Sequence, residues 1–155
     1  MHYFEPKANL DWTTIDIYSP VGGEITRVEQ EWAGTKIELE SEEYPAFRFS
    51  IFHILTDTIK QVGEKVAIGE HLGKHIGNQT YSDISVIVND PTHQGRFVSF
   101  FDVITDDVFQ QFRQKGASDR TDFIISKAVR DAHPLVCNGD QIVSLDSIES
   151  WFELK

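Results

Sequence analysis

A mostly β core followed by a helical C-terminal extension is the architecture this 155-residue sequence predicts, and three observations carry it. Glycines at 63, 69 and 73 punctuate the apolar stretch 62–73. Glycine enters left-handed backbone cheaply, so that spacing reads as tightly turned short strands in a compact barrel. Upstream, several runs alternate apolar and polar residues with the period of two that a half-buried strand imposes. Beyond Pro91 the pattern changes to helical spacing.

The elements follow in order. Residues 1–14, with Pro6 and many polar side chains, read as an irregular arm that packs through Tyr3, Phe4 and Trp12. Residues 15–18 form a strand that runs into Ser19-Pro-Val-Gly-Gly23, where proline fixes φ and glycine permits positive φ. Residues 25–31 and 35–40 alternate about a turn containing Gly34, which predicts a hairpin. In 47–55, a further strand, period two places Phe47, Phe49, Ile51 and His53 on one face. Gly77-Asn78 is a turn, and 83–88 is a β-branched strand. Residues 100–116 set Ile104, Val108, Phe109 and Phe112 at helical spacing, with Gly116 as the stop. Ser126 caps a second short helix that runs through Ala132 and is ended by Pro134; 143–145 and 151–154 read as closing strands or turns. Residues 1–95 are thus the expected β-rich core with its arm. Residues 96–155 are an extension expected to pack on that core, making one domain overall.

Composition narrows the function. Fourteen Lys and Arg stand against 25 Asp and Glu, a formal charge of -11, so a phosphate backbone or an anionic membrane is repelled. The acidic group Glu38, Glu40, Glu42 and Glu43 reads as a solvated strand end, with attraction for a basic partner as the alternative. Cys137 is the only cysteine, which excludes an internal disulfide framework and a zinc motif of paired thiolates; its expected role is structural. No apolar run reaches membrane-spanning length and no basic-then-apolar leader opens the chain. The expectation is a soluble, by default cytoplasmic protein, and a mature exported fragment would read the same way.

The order of motifs resembles a known family. Ile17-Tyr-Ser-Pro-Val-Gly-Gly-Glu-Ile25 is similar to the "VYAPADGxV" hairpin of LytM/lysostaphin-type zinc endopeptidases. Ser50-Ile-Phe-His-Ile-Leu55 resembles their "YxHL" strand, and the stretch 62–73 their "VGxxVxxGxxIG" segment. Asp83-Ile-Ser-Val-Ile-Val88 falls where that family has "HLHFEI". The resemblance spans about residues 15–90 and implies a barrel-sandwich hybrid (duplicated hybrid motif), an architecture also found in lipoyl and biotinyl carriers and in glucose-permease IIA phosphocarriers.

In the family, zinc is held by the His and Asp of HxxxD and by the second His of HxH. The first His of HxH and the His of YxHL assist the attacking water. A catalytic zinc needs about three protein ligands and one open position. Carried over by position, only His53 matches; the HxH pair falls on Asp83 and Ser85, and serine is a poor zinc ligand. No HxxxD precedes the Ser-Pro-Val-Gly-Gly turn: His2 is the sole upstream histidine, and no motif places Asp11 or Asp16 in the missing role. The resemblance therefore implies a degenerate member.

Two other spacings bear on metal. His53-Ile-Leu-Thr-Asp57 is formally HxxxD, and His71-Leu-Gly-Lys-His75 is HxxxH. Each pair would share a face on a helix, but His53 lies in a strand-like run and Gly73 marks a turn. His71 and His75 then read as exposed turn residues, and His93 and His133 as loop residues with local hydrogen bonds. Neither "ExDKA" nor "AMKM", the lipoyl and biotinyl signatures, occurs, and no phosphate-binding glycine motif matches.

The expected function is a non-hydrolytic binding or regulatory module with no cofactor. It holds a peptide or other extended ligand in the groove near His53 and Asp83, a pair able to share charge as a vestigial acid–base couple. One alternative is a zinc hydrolase with a reorganised ligand set drawn from His53, Asp83, His2, Asp57, His71 and His75. The other is a histidine phosphocarrier-like domain using His53.

Overall fold

Strands whose apolar and polar side chains alternate build the sheet that fills the first of two compact units, Met1–Phe100; the second is Phe101–Lys155. The computed structural model describes residues 1–155 except 57, 59, 91, 93, 94, 135, 140 and 145–150, and except the side chains of 142 and 144. Nine strands make the first unit: β1 (His2–Phe4), β2 (Asp16–Tyr18), β3 (Gly23–Glu31), β4 (Gly34–Ser41), β5 (Phe47–Leu55), β6 (Lys65–Val66), β7 (His71–His75), β8 (Ser82–Val88) and β9 (Arg96–Val98). Hydrogen-bonded neighbours run β1-β8-β5-β4-β3-β6, with β7 joined to β2 and β5 and β9 joined to β8. All the pairings are antiparallel. The mostly β core with a helical C-terminal part is therefore as the sequence predicts.

Register explains the core. Leu39, Phe49 and Val86 oppose one another across β4, β5 and β8, and Ile37, Ile51 and Ile84 form the next rung. All six are buried, and fully burying each such side chain contributes about 1.5–3 kcal/mol. The alternate rung, Glu38–Ser50–Ser85, faces the other way and is polar, yet it too is buried. This corrects the reading of Glu38 as part of a solvated strand end. Its carboxylate accepts from Arg48 Nη1 at 3.1 Å and from Thr26 Oγ1 and Ser50 Oγ, each at 3.3 Å. Glu40, Glu42 and Glu43 are exposed as expected.

The glycine segment folds as two turns around β6, each closed by a glutamate. Glu64 Oε2 accepts from Gln61 N at 3.1 Å, and Glu70 Oε2 accepts from Ala67 N at 2.9 Å. Lys60 Nζ donates to the other oxygen of both, each at 2.7 Å, and these bonds hold both carboxyls below the usual glutamate range. Gly73 serves a different end. At φ +150 it lies so close to β5 that an added Cβ would sit 2.5 Å from Leu55 O.

Three expectations for this unit need correction. The N-terminal arm is not irregular throughout, because residues 2–4 pair with β8, His2 opposite Ile84 and Tyr3 opposite Asp83. A strand of three residues ended by Pro6 is too short to show alternation. His71 and His75 are not turn residues: both belong to β7, and His75 is buried. The shared face expected for Phe47, Phe49, Ile51 and His53 ends before His53, where β5 gains a residue relative to β4.

In the second unit, the single helix expected over 100–116 divides into α1 (Phe100–Val103) and α2 (Asp106–Gln114). Thr105 causes the break: its side chain accepts from Val108 N, an N-cap that starts a new helix. Gly116 follows the end of α2 with φ +104, as the stop requires. Arg120 donates to Phe101 O at 2.6 Å and Ile104 O at 2.8 Å, satisfying carbonyls at the end of α1. Phe101, Phe112, Phe123 and Phe152 form the aromatic cluster, with Phe101 stacked on Phe123 at 4.1 Å between centroids. Ser126 caps α3 (Lys127–Ala132) as predicted, and His133 closes it through its backbone N–H to Val129 O and Arg130 O. A hairpin of β10 (Val136–Asn138) and β11 (Gln141–Ser144) follows, with Cys137 exposed on it. The closing strand expected at 143–145 thus starts earlier, and Leu145 lies outside the described residues. Residues 151–155 take no regular form.

Candidate functional site

His53 occupies a bulge in β5. Ile37 opposes Ile51 but Thr35 opposes Ile54, so β5 carries one more residue than β4 between these pairs. His53 absorbs it with φ +59, the only positive φ of a non-glycine among the described residues. Left-handed backbone costs a non-glycine about 1–2 kcal/mol, and histidine is among the residues that adopt it more readily. The extra residue hands the core face to Ile54, which is fully buried, and swings His53 to the side of Asp83.

The hairpin between β3 and β4 fixes the ring. Glu31 opposes Gly34, leaving Trp32 and Ala33 as the tip. His53 Nδ1 lies 2.9 Å from Ala33 O. A carbonyl only accepts, so Nδ1 donates and the neutral ring keeps Nε2 bare. That Nε2 lies 3.7 Å from Asp83 Oδ2, while Glu31 Oε2 is 3.8 Å from Nδ1. The Trp32 ring lies against the imidazole, tilted by 58° with centroids 5.7 Å apart.

Asp83 is buried, and burial pushes its carboxyl up to about 6. Positive charge on His53 and on the chain's amino group pulls the other way, and Glu31 adds to the rise. The bare imidazole nitrogen of His53 thus faces a carboxyl whose ionisation burial disfavours. Asp83 Oδ1 has no hydrogen-bond partner. Tyr3, its partner in register, has its hydroxyl pKa raised by burial and then by the Asp83 charge.

His75 is the other buried imidazole. Burial first, and then the charge of His53, lowers its pKa. Its Nδ1 accepts from Gly77 N at 3.0 Å, so the neutral ring carries its proton on Nε2, which has no hydrogen-bond partner. Trp12 packs edge-on against it at 5.5 Å. Trp12 and Tyr81 also line a groove of about 410 Å³ with Glu5, Asn78, Gln79 and Thr80. The groove thus meets His75 through Trp12, whereas the His53–Asp83 pair lies beside the hairpin tip.

The remaining candidates are held by separate partners. His2 Nε2 is 3.0 Å from Ser99 Oγ, and His71 Nε2 is 3.1 Å from Asp16 Oδ1, with the His71 ring against Tyr18. Asp57 and His93 lie outside the described residues. Among the described residues, no group of three or more His, Cys, Asp or Glu is placed to hold a metal ion. Ser85, at the place of a zinc histidine in the resemblance, is buried in the rung with Ser50 and Glu38.

Several solved structures are similar to this chain, three of them as follows. The catalytic domain of the antimicrobial peptidase lysostaphin from Staphylococcus simulans, crystallized in the absence of phosphate, is 15% identical with a TM-score of 0.41, over 57% of this chain and 77% of that one. The structure of cbpa from L. salivarius REN is 11% identical with a TM-score of 0.45, over 62% of this chain and 68% of that one. The solution structure of lysostaphin is 14% identical with a TM-score of 0.46, over 64% of this chain and 46% of that one. No protein-family model and no curated protein matches the sequence.

Glu31 and Trp32 are the site residues that sequence reasoning missed. The signal was present: a hairpin turn about Gly34 brings the residues just before it to the strand that pairs with β4, which carries His53. Among the described residues, no helix is long and apolar enough to cross a membrane.

Proposed function

We propose that this chain is a non-hydrolytic binding or regulatory module on a LytM/lysostaphin-type scaffold, holding a peptide or other extended ligand beside His53 and Asp83. One observation carries the reading. Where the family resemblance calls for the first histidine of HxH, a buried aspartate faces the bare nitrogen of His53 at 3.7 Å. An imidazole there would assist a zinc-bound water; a carboxyl there instead faces His53 and offers hydrogen-bond acceptors. The buried serine at the second position removes a ligand the zinc chemistry needs. Order of motifs supports the scaffold, since the Ser-Pro-Val-Gly-Gly turn, the His53 strand, the glycine segment and the Asp83 strand follow as in that family.

An extended ligand has an edge to use. β1 stands at the end of the sheet order, and main-chain bonds at a sheet edge give affinity while neighbouring side chains select. The test is an array of terminally blocked hexapeptides probed with the whole chain and with Asp83→Ala, both checked for native circular dichroism. A subset of peptides bound by the parent and lost by the variant is the expected result. An array with no bound peptide, or binding indifferent to Asp83→Ala, overturns the reading.

A further inference from the structure

We infer that the ligand held beside His53 carries a cation, a lysine ammonium or an arginine guanidinium, seated against Trp32 and Glu31 at the tip of the β3–β4 hairpin. The inference rests on the binding reading above and adds the ligand's charge.

Four observations around His53 and Asp83 bear on the ligand. Trp32 is 76% exposed although its ring lies against His53, so its outer face is open to a partner. Cations are drawn to such a face by the ring quadrupole, tryptophan being the strongest of the aromatic residues. Glu31, whose side chain is 25% exposed, puts a carboxylate beside the same imidazole. Behind it Asp83, only 5% exposed, holds an oxygen with no hydrogen-bond partner, an acceptor that calls for a donor or a positive charge. Tyr3, opposite Asp83 in register and 52% exposed, offers a second aromatic surface on that flank.

The charges favour the same ligand. Two carboxyl groups, Glu31 and Asp83, face the single imidazole of His53, so with both ionised the cluster keeps a negative balance even beside a charged ring. The whole chain's -11 extends that field and steers cations inward. Titratable groups facing Asp83 are His53, Glu31, Tyr3 and the amino terminus; His53 is faced by Glu31, Asp83 and His75. Raising the pH through about 6 ionises Asp83 and so strengthens the attraction for a cation.

Terminally blocked Gly/Ser hexapeptides carrying one central Lys, Arg or norleucine, end-labelled for fluorescence anisotropy, decide the matter against the full chain at physiological salt. The expected result is binding of the Lys and Arg peptides above that of norleucine, tighter at pH 7.5 than at pH 5. Trp32→Ala should weaken the cationic peptides about two- to fivefold, the size of an exposed cation–π contact. Glu31→Gln should weaken them too and leave norleucine unchanged. Both side chains reach solvent, so both variants should fold. Equal binding of norleucine and lysine peptides, still sensitive to Asp83→Ala, sinks the inference and leaves the binding reading standing. Cationic binding indifferent to both variants is adventitious attraction to an acidic surface and also sinks it. Binding of no peptide at all removes the binding reading itself.

Discussion

Asp83→Asn isolates the cost of a buried carboxyl in the site. Burial moves this group from 3.8 to about 6, a rise of about two units that corresponds to at most about 3 kcal/mol. Screening by solvent and by His53 reduces that to about 1–2 kcal/mol. The sign follows from proton binding. Between pH 4 and pH 6, roughly, the folded state keeps the proton that the unfolded chain has released, so stability falls as pH rises through this window. Below it the contribution is fully present; above it the loss is complete. Asparagine has the same shape, cannot ionise, and can donate to the bare Nε2 of His53. Asp83→Asn should therefore match the parent near pH 4 and exceed it at pH 7.5 by about 1–2 kcal/mol, or about 2–8 °C in Tm for a chain of this length. Thermal melts of both proteins at several values between pH 4 and pH 7.5, plotted as a difference, provide the assay. A difference that stays constant across the range would refute the argument, because a purely steric effect has no pH dependence.

Three further outcomes follow from the fold. Gly73→Ala should cost more than about 1 kcal/mol, since the new methyl strikes Leu55 O in a left-leaning backbone; chemical denaturation measures it, and an unchanged midpoint would show that β7 can move off β5. Lys60→Met should lower Tm and flatten its fall under acid, because Glu64 and Glu70 lose the partner that depresses their pKa and whose benefit disappears as pH falls through their folded values; equal acid profiles would count against the double hook. Thr105→Ala should destabilise the chain by about 1 kcal/mol through loss of the α2 cap, read from denaturant unfolding, whereas Thr105→Ser should cost little.

Much of the fold was legible because it rests on local chemistry. Period two marked β5 to the residue, Gly34 marked the hairpin, and Ser126 marked α3. The break at Thr105 was equally legible in principle, since a threonine followed by two aspartates is an N-terminal signature, but the continuous spacing of Ile104, Val108 and Phe112 masked it. What could not be read is set by pairing between distant strands. Three residues of β1 have no periodicity to show, and Glu38 looks solvated in a run of glutamates until Arg48, Ser50 and Thr26 close around it. The bulge at His53 is the sharpest case. Alternation assigns His53 to the core face, and only the unequal count between β4 and β5 sends it to Asp83 instead.

Zinc titration of metal-free protein tests the central claim most directly. Calorimetry with the full chain, after dialysis against chelator, should show no stoichiometric binding tighter than micromolar, and His53→Ala should behave as the parent does. One zinc bound per chain with sub-micromolar Kd, abolished by His53→Ala, would contradict the account and restore a hydrolytic centre.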